Sequence, residues 1–291
     1  MKKLLLLVTT TFCLVGVSAQ NVLTPEEMNS VYKKEKHHNK KVKQYTPLRE
    51  ADVMWSRKIW REIDLRQKIN HPFYYPENNG IPGSAMTDDR KSLIDVIYSA
   101  VKEGSITAYG NAVYDDEFRE EMSQEDIKKI GGATEEMVTV TDFEALAEGV
   151  DIEDATRQEL SKTYFNRNYI KKWRLKEEWF FDKQKSIMDV RIIGLAPLQE
   201  DRDEVNGKIL GTFSPIFWVY FPEAREILIN AEVFNLVKNN AERRTYDDIF
   251  WKRMFGSTIT KESSVMDRKI NEYMVGLDAL LEAERIKTEI F

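Results

Sequence analysis

Apolar residues in the first third of the chain recur with the spacing of a helix. Between residues 48 and 70, large apolar side chains occupy every fourth position, which places them on one helical face. These side chains are Trp55, Ile59 and Ile63. Pro72 ends this predicted helix, because a proline disfavours helical geometry in the residue before it. A second helix is predicted over residues 88–103, with Gly104 suited to its C-cap, so we expect a helical N-terminal region over residues 48–104.

The middle of the chain alternates between apolar and polar residues and predicts an antiparallel sheet. Residues 170–181 place tryptophan, leucine and phenylalanine on one side and charged residues on the other, which is typical of a half-buried strand. A short polar turn leads to a return strand over residues 186–196, ended by Pro197. A third strand is predicted over residues 212–221. Pro215 cannot donate a hydrogen bond to a neighbouring strand, so this strand lies at an edge or begins beyond Pro215.

Helical spacing returns in the last quarter of the chain. Residues 223–230 and 245–255 are predicted to be helical, with Thr245 as the N-cap of the second helix. A closing helix is predicted over residues 267–287, and its apolar stripe consists of Ile270, Met274, Leu277 and Leu281. We therefore expect an α+β fold in a single domain over residues 48–291, with N-terminal helices, an antiparallel sheet of at least three strands, and C-terminal helices.

Residues 1–19 have the layout of a secretory signal peptide. Lys2 and Lys3 precede an apolar core over residues 4–17, and a small-residue cleavage site follows. The apolar run is too short to span a membrane. Export is therefore expected, and cleavage would remove the only cysteine, Cys13, so that the mature chain has no thiol for a disulfide or a cysteine-bound metal.

Residues 20–47 form a basic tail. The stretch from residue 33 to residue 43 holds six lysines and one glutamate, and such a segment buries too little surface to offset its ordering entropy, so disorder is expected. The alternative is that the tail contacts an acidic partner or lipid phosphates. The whole chain is acidic: its formal charge of −6 becomes −8 once the two signal-peptide lysines are removed. This balance argues against a nucleic acid as partner.

Candidate chemistry in the sequence is confined to pairs of aspartates. These pairs are Asp88-Asp89, Asp115-Asp116 and Asp247-Asp248. Because two carboxylates can act as general acid and base, a periplasmic hydrolase that uses such a pair is the alternative function. Two of the pairs lie where helices are predicted to begin, however, and there the helix dipole accounts for them. The sequence predicts no catalytic, cofactor-binding or metal-binding residue, and the protein is not expected to be an enzyme.

Large aromatic and arginine side chains instead point to protein interfaces. The chain has six tryptophans in an acidic background, and most of them are expected in the core. Tryptophan and arginine are also the residue types that anchor interfaces. The candidate interface residues are Trp55, Trp60, Trp179, Arg243 and Arg244.

Four long stretches, in the same order, closely resemble the GldN/PorN family. They are LREADVMWSRKIWREIDLRQKINHPFYYPENN (48–79), EEWFFDKQKSIMDVRIIGLAP (177–197), WVYFPEAREILIN (218–230) and AERRTYDDIFWKRMFGSTITKES (241–263). The resemblance implies a non-catalytic periplasmic component of the type IX secretion system of Bacteroidetes, which drives gliding motility in some members. It also implies many copies in a ring with an outer-membrane lipoprotein of the GldK/PorK type, contact with the periplasmic part of a GldM/PorM-type motor protein, and no cofactor. The expected location is the periplasm, at the inner face of the outer membrane.

Overall fold

The fold was examined in a computed structural model that describes residues 40–77, 90–110, 116–141, 156–202, 208–234 and 243–290. The predicted signal peptide and the tail up to residue 39 lie outside these residues, and both stay predictions, as do the domain boundaries. Within the described ranges the chain has six α-helices and a seven-stranded antiparallel sheet, which confirms the α+β fold class.

Eleven strands and six α-helices lie within the described ranges. The strands are β1 Val53–Asp64, β2 Ala108–Tyr109, β3 Thr134–Thr141, β4 Thr156–Thr163, β5 Ile170–Asp182, β6 Ile187–Arg202, β7 Ile209–Pro215, β8 Trp218–Tyr220, β9 Glu232–Val233, β10 Arg244–Thr245 and β11 Thr258–Glu262. The helices are α1 His71–Tyr74, α2 Leu93–Glu103, α3 Gln124–Lys128, α4 Phe221–Leu228, α5 Tyr246–Trp251 and α6 Leu277–Ile290.

Six strands of the main sheet lie in the order β11-β1-β5-β6-β8-β2, and the seventh, β7, pairs with β6 further along that strand. All of these pairings are antiparallel. The β5–β6 hairpin predicted from the alternating pattern is present at the centre. Two smaller antiparallel sheets are formed by β3 with β4 and by β9 with β10.

The predicted helix over residues 48–70 is wrong, because residues 53–64 form strand β1. This strand pairs with β5, so that Ile59 lies opposite Glu177 and Ile63 opposite Trp173. A spacing of four residues is also twice the two-residue period of a strand, so apolar residues four apart share a face in either structure. Within the described part of residues 48–104, α-helix is therefore limited to the short α1 and to α2.

The second predicted helix exists but starts later than expected, at Leu93. Ser92 is its N-cap and accepts a hydrogen bond from the backbone N–H of Asp95. Gly104 follows the helix with φ of 75°, in the left-handed conformation predicted for its C-cap. Helix α2 is thus bounded by the N-cap at Ser92, which the sequence analysis did not identify, and by the predicted C-cap at Gly104.

Strand β6 does not end at Pro197 as the sequence predicts, but continues to Arg202. Its pairing with β8 includes Leu195, and its pairing with β7 begins at Leu198. Pro197 therefore lies where β6 passes from one neighbouring strand to the next. Its missing N–H breaks no ladder there, and its carbonyl still accepts a hydrogen bond from the N–H of Ile216.

The third predicted strand, over residues 212–221, is in fact two strands. Strand β7 ends at Pro215 and β8 begins at Trp218, and the two pair with different parts of β6. Both segments run antiparallel to β6, and the interruption after Pro215 agrees with the restriction that a proline imposes on strands. Among the described strands β7 pairs with β6 alone, as expected for an edge strand.

Two hydrophobic clusters hold helices on the sheet. The larger one joins Trp173 and Leu175 of β5, both completely buried, to side chains of α1, α2, α4 and α5. The second joins Ile59, Trp179 and Ile259 of three adjacent strands to α6. The side chains that α6 contributes are Ala279, Ala283, Ile286 and Ile290. Burial of these apolar surfaces is the main source of the fold's stability.

The closing helix is displaced from its prediction. It begins at Leu277 rather than at residue 267, after Gly276 in a left-handed conformation. Ile270 and Met274, assigned to its stripe from the sequence, precede the helix and still pack against the second cluster. Leu277 and Leu281 were expected to be buried, but they are 69 % and 59 % exposed. The buried face of α6 is lined by two alanines and two isoleucines instead.

Helix α5 begins with the N-cap predicted from the sequence. The hydroxyl of Thr245 accepts a hydrogen bond from the N–H of Asp248 at 3.3 Å, and the Asp248 carboxylate accepts one from the N–H of Thr245 at 3.2 Å. Burial on its own raises the pKa of Asp248, but the hydrogen bonds from Thr245 and the charges of Lys40 and Lys252 together outweigh it, so the pKa lies below its ordinary value of 3.8. The carboxylate is therefore ionised and active in capping at neutral pH.

Replacing Asp248 with alanine should lower the free energy of unfolding by about 0.5–1 kcal/mol at pH 7, because one half of the capping box is lost and the carboxylate is partly screened by solvent. A carboxylate with a lowered pKa stabilises the fold above its unfolded-state pKa, and this contribution disappears as the pH falls through the folded-state value. The difference between variant and wild type should therefore shrink below pH 3.8. Urea unfolding from neutral to acidic pH measures this difference. The control is Glu50→Ala, at an exposed acidic residue outside the α-helices, which should change the free energy of unfolding by about 0.5 kcal/mol or less at pH 7.

Candidate interaction surface

Trp60, predicted as an interface residue, lies inside the fold. It is 8 % exposed and packs against Ala196 and Trp218. Its indole Nε1 donates a hydrogen bond to the Asp116 carboxylate at 2.6 Å, and the ammonium of Lys261 lies 4.6 Å from its ring centroid. The ring thus joins β1 to neighbouring elements of the same chain, and any part that it has in an interface stays a prediction.

The other two candidate tryptophans lie on the second hydrophobic cluster. Trp179 is 4 % exposed, and its indole Nε1 donates to Glu177 at 3.1 Å. Trp55 is half-buried and packs against the same cluster, with the guanidinium of Arg57 5.6 Å from its ring centroid. Of the three tryptophans, Trp55 therefore presents the largest part of its ring to solvent.

The two candidate arginines are neighbours at β10 and are both half-buried. Nη1 of Arg243 lies 3.7 Å from a carboxylate oxygen of Glu232, on the paired strand β9. Nη1 of Arg244 lies 3.9 Å from the sulfur of Met254. The five candidates thus lie on β1, β5 and at the start of β10, and their part in an interface stays a prediction.

A buried ion cluster that the sequence analysis missed links β1, β5 and the chain after α5. Glu177 is completely buried; its carboxylate lies 3.3 Å from Nε of Arg61 and 2.9 Å from Nη2 of Arg253. Both guanidinium groups also lie within 6 Å of the Trp179 ring centroid, at 5.7 and 5.3 Å. Burial lowers the pKa of Arg61, and the charge of Glu177 opposes this effect. Each charge thus has an opposite charge beside it. The cluster holds β1, β5 and the chain after α5 together.

The described aspartates of the three pairs have structural partners. Asp247 receives two hydrogen bonds from Arg225, at 2.7 and 3.2 Å, inside the fold. Asp248 caps α5, and Asp116 accepts from Trp60. The remaining members, at positions 88, 89 and 115, lie outside the described residues. In the part of the chain that the structure describes, no group of three or more histidine, cysteine, aspartate or glutamate residues is arranged to hold a metal ion.

Seven exposed apolar side chains, with exposures from 36 % for Tyr273 to full exposure for Val265, lie in one stretch of sequence near the C-terminus. We name this stretch the C-terminal apolar surface, defined by Val265, Met266, Tyr273, Val275, Leu277, Leu280 and Leu281. Val265 and Val275 are almost fully exposed, and three leucines project from the first two turns of α6. Single exposed apolar residues are ordinary, but a group of this size on one segment is typical of an interaction site.

Charged residues of α6 form ion pairs within the helix itself. Arg285 contacts Glu282 at 2.6 Å and also pairs with Glu289, and Lys287 contacts Glu284 at 2.9 Å. Each pair is three or four residues apart, which is the spacing that brings side chains together on a helix. These charges are therefore compensated within the helix. The exposed leucines are the groups that burial against a partner would stabilise most.

Two comparisons with known proteins bear on the identity of the chain. No curated protein matches it. The family of gliding motility associated protein GldN matches residues 48–291, which is most of the chain and includes every helix and strand described above. None of the described helices has the length and apolar composition needed to cross a membrane. On the extent of the family match, this chain belongs to the GldN family of gliding motility associated proteins.

Proposed function

We propose that this protein is a structural subunit of the type IX secretion system and builds a periplasmic ring together with an outer-membrane lipoprotein of the GldK/PorK type. The observation that carries the proposal is the C-terminal apolar surface, which leaves seven large apolar side chains in water. Membership of the GldN family supports the link to gliding motility. A ring subunit must expose such surfaces before assembly, because each copy meets its neighbours through them.

The composition of the C-terminal apolar surface suits the centre of a protein interface. The centre of an interface is more apolar than the rest of a protein surface, and residues 265–281 hold seven exposed apolar side chains. The ion pairs of α6 lie beside the leucines and suit the polar rim that surrounds an interface core.

The remaining parts of the proposal follow from the sequence. The predicted signal peptide supports export to the periplasm, where the subunit would lie at the inner face of the outer membrane through its partners. We further propose contact with the periplasmic part of a GldM/PorM-type motor protein. Subunits of a ring meet head to tail, so two different patches of each molecule would be used.

A double variant tests the role of the C-terminal apolar surface. Leu277→Lys with Leu281→Lys should weaken co-purification with the lipoprotein or self-association by about 100-fold, because two lysines would have to lose their hydration in the interface. Both leucines are exposed, so the circular dichroism and melting temperature should match those of the wild type. The mass of the purified protein, with and without the lipoprotein, is the measurement.

The matched control carries the same change of charge elsewhere. Met54→Lys with Ile187→Lys also replaces two exposed apolar residues, which are 67 % and 47 % exposed, on β1 and β6. This control should assemble like the wild type. A folded Leu277→Lys, Leu281→Lys variant that assembles normally would refute the assignment of this surface, and equal losses in both double variants would show a general effect of charge.

A further inference from the structure

Residues 40–47, which we name the docked segment, lie against the fold rather than apart from it. The ring of Tyr45 stacks on Trp251 of α5, with ring centroids 5.3 Å apart. The guanidinium of Arg225 lies 4.7 Å from the Tyr45 centroid, and that of Arg191 lies 5.0 Å from it. The sequence predicts disorder for residues 20–47, whereas residues 40–47 of this tail contact the folded chain in the structure.

Hydrogen bonds fix the end of the docked segment beside the β5–β6 turn. Nη2 of Arg191 donates to the backbone carbonyl of Thr46 at 2.6 Å, and Nζ of Lys185 donates to the Thr46 hydroxyl at 2.8 Å. Tyr45 and Thr46 therefore set the path by which the chain approaches strand β1. The lysines just before Tyr45 are held near this turn and near the end of α5 as a consequence.

Docking gathers lysines from three parts of the chain. The ammonium of Lys43 lies 5.2 Å from the ring centroid of Trp251, the last residue of α5, and Lys252 follows Trp251 in the chain. Nζ of Lys40 lies 3.7 Å from Oδ2 of Asp248, also on α5. Six lysines of the docked segment, the β5–β6 turn and the end of α5 are exposed; they are Lys40, Lys41, Lys43, Lys183, Lys185 and Lys252. We name this group the basic surface.

Two nearby carboxylates form ion pairs with lysines of the basic surface, Asp248 with Lys40 and Asp182 with Lys185, each at 3.7 Å, and the nearby carboxylates also have other partners. Asp247 is paired with Arg225, and Asp248 is part of the cap of α5. Asp182 accepts hydrogen bonds from the backbone N–H groups of Gln184 and Lys185 in the turn. Within the described ranges no salt bridge is present for Lys41, Lys43, Lys183 or Lys252, so the basic surface keeps most of its positive charge.

We infer that the basic surface binds the anionic headgroups of a lipid membrane. Clusters of four to eight lysines are typical of segments that bind anionic lipids, whereas lysine is depleted and arginine enriched at protein–protein interfaces. Three further lysines, at positions 33, 34 and 36, precede the docked segment in the sequence. Because the protein as a whole is acidic, the attraction must come from this local concentration of charge.

Vesicle binding by the exported, purified protein tests the inference. The wild type should bind vesicles that contain phosphatidylglycerol and should not bind pure phosphatidylcholine vesicles, and high salt should release it. Lys40→Gln, Lys41→Gln and Lys43→Gln together should weaken binding by about 100-fold, on the basis of about fivefold for each lysine at an anionic surface. Tyr45→Ala should weaken binding severalfold, because the lysines are then no longer held beside Lys185 and Lys252.

The control removes three exposed lysines elsewhere, by Lys102→Gln, Lys128→Gln and Lys129→Gln, and should bind vesicles like the wild type. Equal losses in both triple variants would overturn the assignment, and so would binding to soluble polyglutamate without binding to the vesicles. Wild-type binding by Tyr45→Ala would overturn the contribution of docking. Ring assembly plays no part in the vesicle measurement. A failure of the lipid-binding inference can therefore be told apart from a failure of the proposed function.

Discussion

Replacing Glu177 with glutamine should lower the free energy of unfolding by about 3–5 kcal/mol, because it removes the anion from a buried ion cluster. The carboxylate is completely buried between two guanidinium groups, and the side chain of Arg61 is only 7 % exposed. Without Glu177 the charges of Arg61 and Arg253 repel each other inside the fold. Glutamine keeps the size of the side chain, so the loss measures charge rather than packing.

Urea unfolding at neutral pH measures this loss. The matched control is Glu178→Gln, the same substitution at the next residue of β5, where the side chain is partly exposed and lies opposite Arg191. That variant should change the free energy of unfolding by about 0.5 kcal/mol or less. Similar values for the two variants would contradict the importance assigned to the cluster.

Replacing Gly131 with alanine should cost about 2–5 kcal/mol of unfolding free energy, and the same change at Gly104 only about 1–2 kcal/mol. Both glycines have positive φ, 66° and 75°, so both variants carry the strain of an L-residue in that conformation. A Cβ on Gly131 would overlap with the ring of Phe165, which is buried, whereas nothing lies within 4 Å of a Cβ on Gly104. The difference between the two variants therefore isolates the steric effect.

Thermal and urea unfolding of both variants provide the comparison, and Phe165→Leu provides the internal check. If the ring is the obstacle, Gly131→Ala should cost less in the Phe165→Leu background than in the wild type. Equal costs in the two backgrounds would locate the strain in the backbone alone.

The central hairpin and helix α5 could be predicted from sequence because their signals are local. The alternation of β5 and the cap at Thr245 are complete within a dozen residues. Strand β1 was mistaken for a helix because two of its inward positions are arginines, Arg57 and Arg61, which interrupt the two-residue apolar period. Arg61 is tolerated there only because β5 places Glu177 beside it, and that pairing joins distant parts of the chain.

The candidate interface was less predictable than the fold. Tryptophans were expected to be either core or interface, and Trp60 and Trp179 are largely buried within the chain. Leu277 and Leu281 looked like core because they continue a helical stripe, yet the helix begins at Leu277 and turns its alanines toward the sheet. Helical spacing identifies residues that share a face, but it does not say which face is covered.

The contacts of the docked segment could not be predicted from its own sequence either. Its composition suggests disorder, because a window of lysines and polar residues contains little that can be buried. The partners of Tyr45 are Arg191, Arg225 and Trp251, all more than a hundred residues away along the chain. A single aromatic ring can fix such a segment when the fold offers it a matching surface.

The long antiparallel ladders around β5 have a mechanical consequence. Strand β5 pairs with β1 on one side and with β6 on the other along nearly its whole length. The hydrogen bonds of these ladders run perpendicular to the strands, so tension applied along β5 loads them all in shear and at the same time. Tension applied across the sheet would open them one after another. The sheet therefore resists tension best along the direction of β5.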